Sequence, residues 1–169
     1  NRHPSIKHWR ELQEPEPGRY SGSEEPLSLG SALGRHYGFA RLGIHHELLP
    51  PGRRTSWPHA EETDDEFVHV LEGTPDVWLN GVLYRLQPGG SVRFPAGRGL
   101  AHTFINSTER DVRLLCVGDR DRDDNRTHYP QHPARNALIG AHHWHDCPCT
   151  PQGGHDGRPN AQRTERKAG

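Results

Sequence analysis

The chain has 169 residues, enough for one domain with a single core and some decorating segments and too few for a second full domain. Lys and Arg number 21 against 22 Asp and Glu, a formal charge of -1, so no global field draws the chain to a phosphate backbone or an anionic membrane, and nucleic acid is not an expected partner. No apolar run reaches membrane length and the start carries no signal-peptide core, which predicts a soluble, cytoplasmic protein. Hydrophobic residues make up 30% while Gly (19) and Pro (15) are plentiful, a balance that suits short strands and many turns. Three cysteines do not make a disulfide framework, and the 14 histidines are the compositional anomaly.

In chain order, residues 1–36 are polar and rich in Pro, Gly and Ser, and read as an arm lying on the surface or on a partner subunit. Residues 37–118 hold nearly all the alternating apolar segments. Strands are predicted at 41–49, 66–71, 76–79, 82–86, 91–94, 102–106 and 111–117, each rich in β-branched or aromatic residues and bounded by Gly, Pro or Asn. Asn80-Gly81 suits a type I′ hairpin turn between the third and fourth of these. Evenly spaced short strands imply a sandwich or barrel. Residues 119–169 form a hydrophilic tail with ordered islands, one at 128–130 and one at 142–149.

His59 and Glu61 are two residues apart, so on an extended strand they share a face and could address one ion. Glu66 opens the next strand and His102 a later one, after the glycine-rich stretch 95–99. Read alone, the acidic run 61–66 is also a solvated turn. His45 and His46 lie on the strand before, and alternation lets only one face inward; His46 is the candidate substrate contact, with Trp57 and Arg98 near the same loops. Arg53 and Arg54 lie there too. His69, at odd spacing from Glu66, should face away from the site, and Asn106 reads as a strand-end residue whose amide bonds the local backbone.

These residues resemble the two motifs of the cupin family. Gly52, then His59-Ala60-Glu61, Glu66 and Gly73 follow the first motif, and Gly89, Pro95-Ala96-Gly97, His102 and Asn106 the second, over roughly residues 42–117. The resemblance implies an all-β double-stranded β-helix, a jelly-roll barrel with an N-terminal arm and an irregular C-terminal tail. It also implies one divalent transition metal (Zn, Fe or Mn) on His59, Glu66 and His102. Glu61 stands where the family has its second motif-one histidine, so it is a fourth candidate ligand. Two carboxylates would then neutralise the ion, and two His with one Glu would form a facial triad with open positions. Glu61 and Glu66 are the candidate catalytic carboxylates.

The expected function is a metal-dependent cupin enzyme, an oxygenase, lyase or sugar-phosphate-isomerase-like protein acting on a small polar molecule. The alternative is a non-catalytic small-molecule-binding module. A homodimer is expected by analogy with other cupins. The segment His142-His143-Trp144-His145-Asp146-Cys147-Pro148-Cys149 offers imidazoles and thiols for a second metal, though its spacing matches no closed zinc module, and a tail lying across the barrel is the simpler expectation.

Overall fold

The computed structural model describes residues 2–120 and 122–165; residue 1 of the arm and residues 121 and 166–169 of the tail lie outside this range. The strands are β1 (Leu29–Ser31), β2 (Leu42–Leu49), β3 (Ala60–Glu61), β4 (Glu66–Glu72), β5 (Asp76–Leu79), β6 (Val82–Arg85), β7 (Ser91–Phe94), β8 (His102–Ile105), β9 (Val112–Asp119) and β10 (Thr127–His128). Three short helices join them, α1 (Leu33–His36), α2 (Pro133–Ile139) and α3 (Asn160–Glu165). The predicted strands therefore recur within two residues at each end, and the antiparallel sheets form an all-β jelly roll. Among the described residues no helix is long and apolar enough to cross a membrane.

One wall is the five-stranded sheet β1-β2-β9-β4-β7, and the other is built on β6-β5-β8. Backbone bridges from Arg54 to Ile105 and from His59 to His102 extend the second wall to β3, which pairs with β10. In β4, Val68 and Val70 are buried while Phe67 and Leu71 face outward, the alternation expected of a half-buried strand. Together with Leu49, Val77, Phe94, Phe104, Val112 and Leu114 they fill one end of the barrel with an apolar core. The other end is polar and open. There Gly43, Gly118 and Glu66 lie in register across three strands. At Gly118 a Cβ would meet the Asp65 carbonyl oxygen at 2.5 Å, so only glycine lets the chain approach Glu66 this closely.

The arm and the tail pack on the barrel of their own chain. Residues 29–31 of the arm supply the edge strand β1, paired with β2, and Trp9 stacks on His46 at 4.0 Å. A second apolar cluster forms outside the smaller sheet, where Trp144 of the tail covers Ala60, Trp78, Ala101 and Ile105, with Cys147 and Cys149 against it. The Asn80-Gly81 turn has positive φ at both residues, 43° and 97°, as a type I′ hairpin requires, and the tail runs over it, with Gln152 N–H donating to Asn80 O at 2.7 Å.

Candidate metal centre and its cavity

His59 and His102 face each other across an antiparallel bridge. Their backbones exchange both hydrogen bonds, His59 N–H to His102 O at 3.2 Å and the reverse at 2.9 Å. Directly opposed residues in such a pair project to the same face, and the two rings lie 4.9 Å apart. Each ring is oriented by its backbone neighbour: His59 Nδ1–H donates to Trp57 O at 2.9 Å and His102 Nδ1–H to Leu100 O at 3.0 Å. That fixes the tautomer and leaves Nε2 of each ring as the donor to a metal. Phe94 stacks flat on His102 at 3.4 Å and closes the site on its inner side.

Glu66 reaches the pair from the opposite wall, with Oε2 2.8 Å from His102 Nε2. Burial opposes charge on both groups, but their hydrogen bond and mutual attraction prevail, holding His102 above its ordinary value and Glu66 below. A proton shared between them satisfies both, and a divalent ion would take that proton's place. Ligand atoms of His59, Glu66 and His102 all lie within 4.8 Å of one another, the one such group of His, Cys, Asp and Glu among the described residues. With two oriented imidazoles and a carboxylate, the residues fit a transition metal with coordination positions left for water or substrate.

Glu61 lies beside this group and outside it. It lines the same cavity from β3, but its carboxylate is not among the ligand atoms that converge. Burial and the charge of Glu66 raise its carboxyl above the ordinary range, while His59 and His102 pull the other way. Three of the four candidate ligands thus converge, and the fourth faces the space above them.

The cavity has a volume of about 740 Å³. Its lining includes His45, Glu61, Asp64, Asp65 and Asp119 from the barrel and Arg135, Leu138, Ile139 and His142 from the tail. The three substrate candidates fall elsewhere. His46 points to the outer face of β2, under Trp9 and against the Arg113 guanidinium, and its neighbour His45 takes the inward position. Trp57 is sandwiched between Tyr20 at 4.2 Å and His132 at 3.9 Å, and its Nε1–H donates to Glu25. It lines a separate hollow of about 570 Å³ with Arg54 and Arg158. Arg98 is exposed in its loop and borders neither space. His69 faces away from the site, with its ring near Phe67. Asn106 is fully buried, donating to Leu49 O and Arg110 O and accepting from Thr108.

The residue that sequence reading missed is Arg135. Pro133 at the first turn starts α2, and Asn136 hydrogen-bonds both backbone groups of Tyr129, which seats the helix at the mouth. The Arg135 guanidinium lies 5.3 Å from the Tyr20 ring and 5.7 Å from the Tyr129 ring, and its Nε–H is buried without a hydrogen-bond partner among the described residues. No periodicity marks this segment in the sequence, so no local signal could have found it.

Residues 45–118 match the cupin domain family, the stretch that carries His59, Glu66 and His102. That stretch is a cupin domain, and the chain has the cupin jelly-roll fold. It is 29% identical over 106 residues to the polyketide synthase CurC of Streptomyces cyaneus, covering 62% of this chain and 64% of that protein, so it spans less than two thirds of that relative's length. Among solved structures it resembles a sugar phosphate isomerase of the cupin superfamily from Silicibacter pomeroyi, with 27% identity, a TM-score of 0.63, and 73% of this chain and 81% of the other covered. The polyketide cyclase RemF from Streptomyces resistomycificus shares the fold at 22% identity and a TM-score of 0.58, with 81% and 94% covered.

Proposed function

We propose that the chain is a metal-dependent enzyme that moves a proton at the carbon next to a carbonyl in a small, oxygen-rich, uncharged substrate, the chemistry by which polyketones enolise and close rings. The observation that carries this reading is the charge of the mouth. Glu61, Asp64, Asp65, Glu66 and Asp119 line it. Burial, with the charges of Glu61 and Asp119, pushes Asp64 up to about 6, a sign of crowded negative potential. Arg122 is already engaged by Asp64 and Asp124. Arg135 has no carboxylate partner among the described residues, and one guanidinium cannot offset so many carboxylates around a phosphate dianion. A neutral polyketone meets no such penalty, and Tyr129, Leu138 and Ile139 give its carbon skeleton apolar contact.

A divalent ion on His59, Glu66 and His102 would supply Lewis-acid polarisation of a substrate oxygen. Glu61 is placed to take the proton. Its carboxylate accepts the hydrogen from carbon, the C–H electron pair passes into the enolate, and the same carboxyl returns the proton. A carboxyl raised toward neutrality suits both halves of that exchange. The Arg135 guanidinium, whose Nε–H has no partner among the described residues, lines the same cavity and is available to a second substrate oxygen. Similarity to CurC supports this reading, whereas the likeness to a sugar phosphate isomerase favours a phosphorylated substrate and an isomerisation.

The two readings separate in deuterium oxide. Metal-loaded protein is incubated with a 1,3,5-triketone or with a ketose phosphate, and deuterium entering the α-carbon is followed by NMR. Exchange on the triketone that falls at least about 100-fold in Glu61→Gln, with metal content unchanged, is the expected result. Exchange confined to the ketose phosphate, or indifferent to Glu61→Gln, overturns it.

A further inference from the structure

The histidine-rich tail remains unexplained by the barrel site, and the structure sorts its side chains into two sets. Cys147 and Cys149 turn inward against the Trp78 and Trp144 cluster, and Cys149 Sγ–H donates to Asn80 Oδ1 at 3.2 Å. Burial raises both thiols, Cys147 to about 11, so neither offers a thiolate at neutral pH. The imidazoles of His128, His143 and His145 go the other way, while His142 borders the barrel cavity. On β10 Thr127 and the following Tyr129 line the cavity, so His128 between them projects to the opposite side, as Ala60 does in register with it.

There it meets His143. Thr127 and His143 form a parallel backbone bridge, Trp144 N–H donates to Thr127 O at 3.1 Å, and the buried Trp144 side chain anchors the crossing. His128 Nδ1 consequently sits 3.1 Å from His143 Nε2, within hydrogen-bonding distance, with the ring planes 17° from parallel. The ring of His145 lies a further 4.2 Å from that of His143, exposed and free to turn. Two nitrogens bound to one zinc-like ion at about 2.0–2.1 Å stand roughly 3 Å apart, so the backbone already holds the pair at chelating distance.

We propose that His128 and His143, joined by His145, form a second transition-metal site on the outer surface of the tail, separate from the barrel centre. Imidazoles without a thiolate or carboxylate select a borderline divalent ion, Zn, Cu(II) or Ni(II).

The test is made in the His59→Ala/His102→Ala full-length chain, so its outcome is independent of the barrel reading. After equilibrium dialysis against micromolar Zn²⁺, elemental analysis is expected to find one ion per chain, retained in Cys147→Ser/Cys149→Ser and lost in His128→Gln and in His143→Gln. Loading the same parent with Cu(II) is expected to give an electron paramagnetic resonance spectrum split by imidazole nitrogen, a readout that needs no tail substitution. No bound ion, an ion that survives both histidine substitutions, or one lost with the thiols overturns the site.

Discussion

At the scale of single residues, alternation along β2 told that one of His45 and His46 faces inward and could not tell which. Ile44 and Leu48 suggest that the even positions form the core side, yet the even-numbered His46 lies on the outer face, where Trp9 of the arm stacks on it. The inward positions hold His45 and Glu47, polar residues at the polar end of the barrel. Glu47 is the more consequential of the two. Burial, reinforced by the charge of Glu66 and only partly offset by the Ser28 hydroxyl donating at 2.6 Å, pushes its carboxyl up to about 7. The folded chain therefore keeps a proton that the unfolded chain releases near 4.5, so this group's stabilising contribution is complete below about 4.5 and is lost as pH rises through about 7. Urea unfolding of chelator-treated protein is expected to show stability declining across that window. Glu47→Gln should flatten the decline and raise stability at pH 8; an unchanged pH profile would show that Glu47 ionises freely.

At the scale of elements, the strands were legible because each carries its own alternation and its own turn residues. The hairpin at Asn80-Gly81 does more than join β5 to β6. A Cβ on Gly81 would lie 2.1 Å from the Gly153 carbonyl oxygen, so the turn is also the seat of the tail. Gly89 has a similar φ, +87° against +97°, and open space around it. Gly89→Ala should cost about 1 kcal/mol from backbone strain alone, and Gly81→Ala clearly more, because the tail must also lift. Thermal unfolding gives the two costs. Limited proteolysis near residue 153 should quicken in Gly81→Ala only, and equal behaviour of the two variants would separate the tail from the turn.

At the scale of the whole molecule, one carboxylate ties the arm, the barrel and the tail together. Glu25 accepts both Nε–H at 2.7 Å and Nη2–H at 2.8 Å from Arg54, along with Trp57 Nε1–H at 2.9 Å and Gln162 Nε2–H at 3.0 Å. Arg54 also donates to Gly157 O at 2.8 Å. Its side chain is 1% exposed, so removing its partner strands a charge in the interior. Burial alone would raise Glu25, but the Arg54 bonds and charge hold it down at about 2, so the clasp stays ionised until the pH falls that far. Glu25→Ala is expected to cost about 3–5 kcal/mol in chemical denaturation and to free both termini to protease, while Glu25→Leu/Arg54→Met recovers most of the loss. A cost below about 1 kcal/mol for Glu25→Ala would mean that Arg54 finds another partner or water.

By itself the sequence determined what depends on neighbours along the chain: the strands, the I′ turn, the two motifs, and hence a cupin barrel with His59, Glu66 and His102 brought to one place. The strands and the turn are readable because strand periodicity and turn chemistry act over a few residues, while the barrel type and the meeting of the three ligands were implied by the resemblance of the two motifs. Tertiary structure alone decided the rest. Whether Glu61 joins the ligands depends on where its carboxylate comes to lie once the barrel has closed, and it lines the cavity without joining the group that converges. That Trp57 clasps the arm depends on Tyr20 and His132, and that Arg135 reaches the cavity depends on where an aperiodic tail comes to lie. Contacts between segments that carry no local pattern are set by the shape and polarity of the surface they meet, and that surface exists only once the barrel has closed.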